Sequence, residues 1–184
     1  MKKQIEASDY MTYAFPRITT LVTAMEGDRP NVFAVAWHSP ISMAPPLYGI
    51  SVSPKRHSHD LILQSKEFVI NFPCIEIVDK VHMCGRTSGR DADKFALTGL
   101  TPVPAEKVRP PLIGECYAHL ECRAVRHESL GDHTWFTGEI LSVCADEEAF
   151  VNGLIGHVRP VYYVGKDTYT TITGERIRQG QKNP

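Results

Sequence analysis

Three short runs concentrate cations, hydroxyls and glycines in a pattern suited to an anion that carries a planar ring. Residues 53–58, Ser53-Pro54-Lys55-Arg56-His57-Ser58, make a basic, hydroxyl-rich loop that opens directly into a helix start. Free N–H groups and the positive end of the helix dipole favour an anion there, and Lys55 and Arg56 can add charge-assisted bonds to phosphate oxygens. A solvated basic loop is the plainer reading, but charge, hydroxyl and helix start coincide, which favours phosphate. Residues 84–91, Cys84-Gly85-Arg86-Thr87-Ser88-Gly89-Arg90-Asp91, are followed by Lys94. Glycines interleaved with hydroxyls and arginines can form a concave nest of N–H donors. The run is neither G-x-x-x-x-G-K nor G-x-G-x-x-G. A helix C-cap, a turn and an N-cap would explain both glycines, but not why Arg86, Arg90 and Lys94 gather there. The third run, Trp37-His38-Ser39-Pro40-Ile41-Ser42, leaves an apolar strand with an aromatic, an imidazole and two hydroxyls. Planar contacts beside a few donors are what a ring-binding wall needs. Taken alone, this run reads better as a strand end with a half-buried Trp.

Other chemistries have less support. There is no G-x-S-x-G elbow, no specified Cys–His pair for a nucleophile, and no carboxylate pair set out for acid–base work. The five cysteines, Cys74, Cys84, Cys116, Cys122 and Cys144, contain no C-x-x-C, so reduced thiols are the default. Cys74, His82 and Cys84 invite a zinc reading, yet their spacing fits no common finger and a helix would spread them over different faces. No metal is expected. Chemistry in this chain is then brought by a phosphorylated cofactor.

The elements that must position these runs are mostly strands. Residues 18–25 and 31–37 read as β-branched strands around a Gly27-Asp28-Arg29-Pro30 turn. In 47–53 the period is two: Tyr48, Ile50 and Val52 face one way, Leu47, Gly49, Ser51 and Ser53 the other. Gly49 marks close approach by a ligand or by a neighbouring strand, the two being equally favoured. Ser58 can cap a helix over 58–66, with EFVINFP as the next strand. Residues 75–84 carry apolar positions at helical spacing and end at Gly85, and Asp91 can cap a further helix closed by Gly99. TPVPAEKVRPP reads as a surface connection. Residues 117–125 and 133–143 alternate on either side of a Ser129-Leu130-Gly131-Asp132 turn, the strongest hairpin in the chain, and 161–165 with 168–172 make a further strand pair. Short strands with a few inserted helices point to a mainly β, antiparallel barrel and not to a doubly wound sheet.

Composition sets the outer bounds. The chain has 184 residues, 42% of them apolar, and 20 Lys+Arg against 21 Asp+Glu for a net charge of −1. One globular domain is expected over 1–184, with a substantial core. Near-neutral charge argues against a nucleic-acid binder. No run approaches the roughly 20 apolar residues of a membrane span, and the N-terminus lacks a signal-peptide apolar region, so a cytoplasmic protein is expected.

Several runs together resemble a known family. NVFAVAWHSPISMAPPLYGISV, the Arg56-His57-Ser58 loop before its helix, EFVINFP, CGRTSGRDADKF with GLTP three residues on, PPLIGE and GDHTWFTGEI are similar to the flavin-reductase-like FMN-binding split barrels, especially the flavoredoxin branch. The resemblance covers about residues 10–165, and CGRTSGRDADKF is its most specific part. It implies a six-stranded antiparallel split barrel with helical insertions, a homodimer with FMN near the subunit interface, and residues 166–184 as a C-terminal tail or dimer arm. Carried over by position, Trp37, His38, Ser39 and Ser42 would line the isoalloxazine or ribityl chain. Ser53, Arg56, His57 and Ser58 would hold the phosphate side. Asn71, Ser88 and Lys94 would complete the cradle, with Lys94 at the pyrimidine edge or the phosphate. His133 would face the cavity where a nicotinamide stacks, and His38, standing where many relatives have Thr or Ser, would bear on flavin potential or nicotinamide access. The implied activity passes electrons from NAD(P)H through FMN to free flavin, ferric iron or a partner protein. The alternatives are a flavoredoxin-like carrier with little nicotinamide-dependent turnover and a non-redox cofactor-binding split barrel.

Overall fold

The computed structural model describes residues 1–174. After a single helical turn, α1 (Tyr10–Tyr13), come β1 (Arg17–Ile18), β2 (Thr20–Glu26), β3 (Arg29–Val35), β4 (His38–Met43) and β5 (Pro46–Val52). Helix α2 (His57–Ser65) leads into β6 (Glu67–Pro73), then α3 (Val78–Arg86) and α4 (Lys94–Thr98). The short β7 (Pro102–Val103) and β8 (Leu112–Ile113) precede the two longest strands, β9 (Cys116–Leu130) and β10 (His133–Ala145). Four short strands follow: β11 (Phe150–Val151), β12 (Leu154–Ile155), β13 (Tyr162–Gly165) and β14 (Thr168–Thr170).

The main sheet is antiparallel throughout, in the order β3-β2-β6-β9-β10-β5-β4. The mainly β antiparallel reading holds, but this sheet has seven strands where the family resemblance implied six. The addition is β4, in a stretch read from sequence as a strand end. Its residues are largely exposed, so it lacks the apolar alternation that would have marked it. The sheet curls until its ends approach, and the Ser51 N–H donates to the Trp37 carbonyl at 2.8 Å, joining β5 to the residues that follow β3.

Strands β2, β3 and β6 are buried on both faces, which is why they read as near-continuous apolar runs. Val22, Phe33, Ile50, Phe68 and Phe136 fill the interior of the curl together with Leu61 and Ile62 of α2. Leu21 and Val32, one residue out of phase, face outward and are covered by Val81 and Cys84 of α3 and Phe95 of α4. The β9–β10 hairpin turns through Gly131 at φ +63°, the position where a two-residue turn needs a glycine. Gly49 is crowded by its neighbour strand: a Cβ there would lie 1.9 Å from the Trp135 ring of β10. Helix α3 runs through Gly85 to Arg86 and does not end at the glycine, and α4 is capped by Asp93, whose carboxylate accepts from the Ala96 N–H at 3.1 Å, and not by Asp91. The connection after α4 is also less plain than expected, since β7 and β8 pair within and beside it. Of the segment 166–184, β14 pairs with β13, which pairs with β1; residues 175–184 lie outside the described residues.

Asn71 is the polar pin of the outward face. Its amide donates to the Leu21 carbonyl at 3.0 Å, and its oxygen accepts from the Ile113 N–H at 3.0 Å and from His119 Nδ1 at 2.8 Å. One side chain thus ties β6 to β2, β8 and β9 with no solvent exposure. Truncation would leave several buried partners unpaired, so Asn71→Ala should lower unfolding free energy by about 2–4 kcal/mol in urea titrations.

Candidate functional site

One cavity of about 320 Å³ opens where the curled sheet, α2 and the segment after α3 meet. The end of β3 supplies Phe33, Ala34, Val35, Ala36 and Trp37; the end of β5 and the loop after it supply Ser51, Val52, Ser53, Lys55 and Arg56. His57 and Ser58 open α2, and Cys84, Gly85, Thr87, Ser88 and Gly89 come from α3 and the turn beyond it. Lys94 and His133 complete the lining. Trp37, Ser53, Arg56, His57, Ser58, Ser88, Lys94 and His133 are therefore brought together from six separate parts of the chain.

Four expected residues are placed elsewhere. Asn71 is consumed by the bonds described above and cannot also hold a ligand. Ser39 is exposed on β4 and donates to the Pro40 carbonyl at 3.0 Å, while Ser42 lies further along the same edge strand, which leads away from the cavity. His38 is half-buried, with Nε2 3.0 Å from the Ile18 carbonyl and Nδ1 2.7 Å from the Tyr48 hydroxyl. A carbonyl only accepts, so Nε2 carries the proton and Nδ1 accepts from Tyr48. Burial lowers the His38 pKa, opposed by the Ile18 bond and reinforced by the Arg17 charge, while burial pushes the Tyr48 phenol up to about 12. His38 is a neutral structural link between β4, β5 and β1. The strand period could not have shown this, because it depends on Ile18 arriving from a distant strand.

The electrostatics of the cavity centre on Lys94. Its residue is only 5% exposed, and its ammonium donates to the Cys84 carbonyl at 2.9 Å. Burial lowers its pKa to about 8, with the Cys84 thiol opposing the shift and Arg56 adding to it. Among the described residues Lys94, Arg56 and Lys55 have no carboxylate partner, whereas Arg86 pairs with Asp167 and Arg90 with Asp60. Ser53 and Ser88 hydroxyls and the first turn of α2 stand beside these cations. Helix α2 starts at His57, one residue before the expected cap, and Ser58 is instead buried with its hydroxyl accepting from the Asn31 amide at 3.4 Å. Burial raises the Cys84 thiol to about 11, so it remains protonated and serves as wall. The Trp37 and His133 rings, 4.6 Å apart at 31°, form an aromatic side to the cavity, and Asp132 bonds His133 Nδ1 at 2.8 Å. Cys74, His82 and Cys84 do not converge: Cys84 packs in the outward core, His82 meets the Tyr169 hydroxyl at 3.3 Å, and Cys74 packs with Tyr117 and Phe72. No helix among the described residues is long and apolar enough to cross a membrane.

A cationic, hydroxyl-lined pocket with an aromatic side, built on an antiparallel curled sheet, fits the family match found over most of the chain. The family model of the flavin reductase like domain matches residues 12–171. The chain belongs to that family. Flavoredoxin of Desulfovibrio vulgaris (Miyazaki F) superposes with a TM-score of 0.87 at 32% identity, covering 99% of this chain and 98% of that one. An FMN-binding protein from Thermus thermophilus, with bound 1-cyclohex-2-enone, superposes at 0.86 with 26% identity over 97% and 98% of the two chains. A curated relative, the NADH-dependent FAD reductase of Streptomyces globisporus, is 28% identical over 131 residues, 70% of this chain and 69% of its own. The sequence signals that point to this cavity are the clustered cations. Ser51, Thr87 and the small wall of Ala34 and Ala36 carried no signal of their own, because strand and turn residues of these types are ordinary.

The Lys94 shift has a testable sign. Below pH 8 the ammonium is charged in both folded and unfolded chains, and its burial cost is fully present. As pH rises from 8 to the ordinary 10.5, the folded chain releases the proton first and the cost disappears. Lys94→Met should therefore be more stable than wild type by about 1–3 kcal/mol at pH 7, a margin that closes by pH 10.5 in paired denaturant titrations.

Proposed function

We propose that the protein is an FMN-dependent oxidoreductase that passes electrons from NAD(P)H through bound flavin to free flavin, ferric iron or a partner protein. The observation that carries this reading is the buried Lys94 ammonium, which faces a cavity shared with the unpaired cations Arg56 and Lys55. A buried charge without a counter-ion is costly unless a ligand supplies one. FMN fits this donor set, since it combines a phosphate with a planar ring that becomes anionic on reduction. The flavin would supply the electron-transfer chemistry.

The chain's own residues bind, orient and shield. Arg56, Lys55, Ser53, His57 and Ser58 hold the phosphate beside the first turn of α2, with Ser88 opposite. Lys94 stabilises negative charge developing on the reduced ring, and its low-dielectric setting makes that interaction stronger than in water. Trp37 and the small Ala34 and Ala36 wall give the ring an apolar side, and His133 stands where a nicotinamide would approach. A flavoredoxin-like carrier is the second reading. It is favoured by the Trp37–His133 stack, which already occupies one face of His133. In either case we place the chain as a homodimer; support comes from Met43, Val125, Leu130 and Val143, apolar residues left exposed on β4, β9 and β10. Light scattering should then read about twice the 20.6 kDa chain mass.

Purified protein should be yellow or become so with FMN, and NADH or NADPH should bleach it anaerobically. Arg56→Ala and Lys94→Ala should each weaken FMN binding by about 1–3 kcal/mol, the scale of a lost charge-assisted bond. A colourless protein that takes up no FMN overturns the reading. Fast NAD(P)H oxidation with excess FMN or a ferric chelate selects the reductase, and slow oxidation by an FMN-loaded protein selects the carrier.

A further inference from the structure

Among the described residues, no backbone hydrogen bond joins the two cationic walls of the cavity. Beyond the exposed Arg90–Asp60 pair, they are joined by the β2–β3 hairpin, whose polar residues lie outside the cavity lining. Arg29 of β3 reaches across and donates through Nη2 to the Gly89 carbonyl at 2.5 Å. Glu26, at the end of β2, lies 3.4 Å from the same guanidinium and 3.3 Å from His57 Nε2 on the opposite wall. Asn31, buried at 3% exposure, donates to the Ser58 hydroxyl at the start of α2. The Asn31 oxygen also abuts Gly89: a Cβ there would sit 2.3 Å from it and 3.0 Å from the His57 ring. The Gly89 φ is not positive, so what its position requires is the absence of a side chain and not a left-handed backbone. The turn that carries Thr87 and Ser88 is therefore seated directly on Asn31 and His57 and fastened there by Arg29.

We propose that Arg29 and Asn31 are positioning residues that set the separation of the two walls, and that this separation confers preference for a flavin bearing a phosphate over the same flavin without one. The inference rests on the flavin reading above. A phosphate bound between two walls needs donors from both sides at hydrogen-bond distance, and charge-assisted bonds weaken steeply once a donor moves beyond it. The ring end of the cavity, formed by Trp37, Ala34 and Ala36, lies at and just beyond the end of β3, away from Arg29 at its start. Loosening the turn should thus be felt by the phosphate and not by the ring. Arg29 itself is half-exposed and does not line the cavity; it meets the lining at the Gly89 carbonyl and, through Glu26, beside His57.

The test compares FMN with riboflavin, which has the same ring and ribityl chain but no phosphate. Affinities are read by quenching of flavin fluorescence in wild type, Arg29→Ala, Asn31→Ala and Gly89→Ala, with thermal melts alongside. Wild type should prefer FMN. Arg29→Ala and Gly89→Ala should each lose FMN affinity by about tenfold while riboflavin affinity changes by less than about twofold. Equal losses for both flavins would show a general structural defect and overturn the proposal, as would no loss for either. Asn31→Ala removes a buried group and can unfold the chain, so the surface variant Arg29→Ala decides. If wild type binds neither flavin, the flavin reading falls. The clamp is then judged on inorganic phosphate by amide chemical-shift titration, where an unchanged affinity in Arg29→Ala overturns it as well.

Discussion

The arrangement turns on one buried ammonium. Lys94 begins α4 with its charge withdrawn from water and satisfied by a single carbonyl, that of Cys84 at the end of α3. An ammonium has three protons to donate and tolerates burial poorly. Its presence is a standing cost to the free protein, and the features around it make sense as the means by which that cost is held and directed. Phe95 beside it is anchored in the outward core with Val81 and Cys84, so α4 cannot swing out to relieve the charge. Thr98 bonds the Lys94 carbonyl at 2.6 Å and Gly99 ends the helix immediately after, which keeps the element short and its first residue fixed.

The sheet explains why that lysine faces an aromatic and a phosphate-type wall together. Curling brings the end of β3 beside the end of β5, and the Ser51–Trp37 bond fixes the approach. The chain then leaves β5 directly into the cationic loop and α2, whose Leu61 and Ile62 are held inside the curl. Consequently the first turn of α2 borders the cavity through His57 and Ser58 while Leu61 and Ile62 are committed to the core. Binding chemistry and folding chemistry use successive turns of the same helix, His57 and Ser58 at its start and Leu61 and Ile62 one turn on.

Much of this was legible in the residues. The strands of the main sheet, the long hairpin and the clustered cations are local signals: alternation, glycine turns and charge density all lie within a few residues of one another. The unread parts depend on partners far away in the chain. Asn71 looks like a cradle residue until Leu21, Ile113 and His119 are seen to use its amide from three other strands. His38 looks like a flavin neighbour until Ile18 and Tyr48 take both ring nitrogens. Strand β4 is set by pairing with β5 alone, with little burial to shape its sequence. Gly89 was read as nest chemistry, and its close seating on Asn31 was invisible without the fold.

Net charge misleads here because it averages over pairs. Of the five cations gathered near the cavity in the sequence, two are neutralised by carboxylates, Arg86 by Asp167 and Arg90 by Asp60. Lys55, Arg56 and Lys94 are not, among the described residues, and these three line the cavity. The acidic residues that balance them overall are spent elsewhere: Glu139 on Arg123, Glu76 on Arg159, and Glu121 as a buried acceptor for the N–H groups of Glu106 and Lys107. Long-range attraction is thus weak, as a charge of −1 implies, while short-range attraction inside the cavity is strong. Such a surface does not gather polyanions, yet a small ligand that reaches the pocket meets the buried Lys94 ammonium, where solvent screens charge least, beside the exposed Lys55 and Arg56.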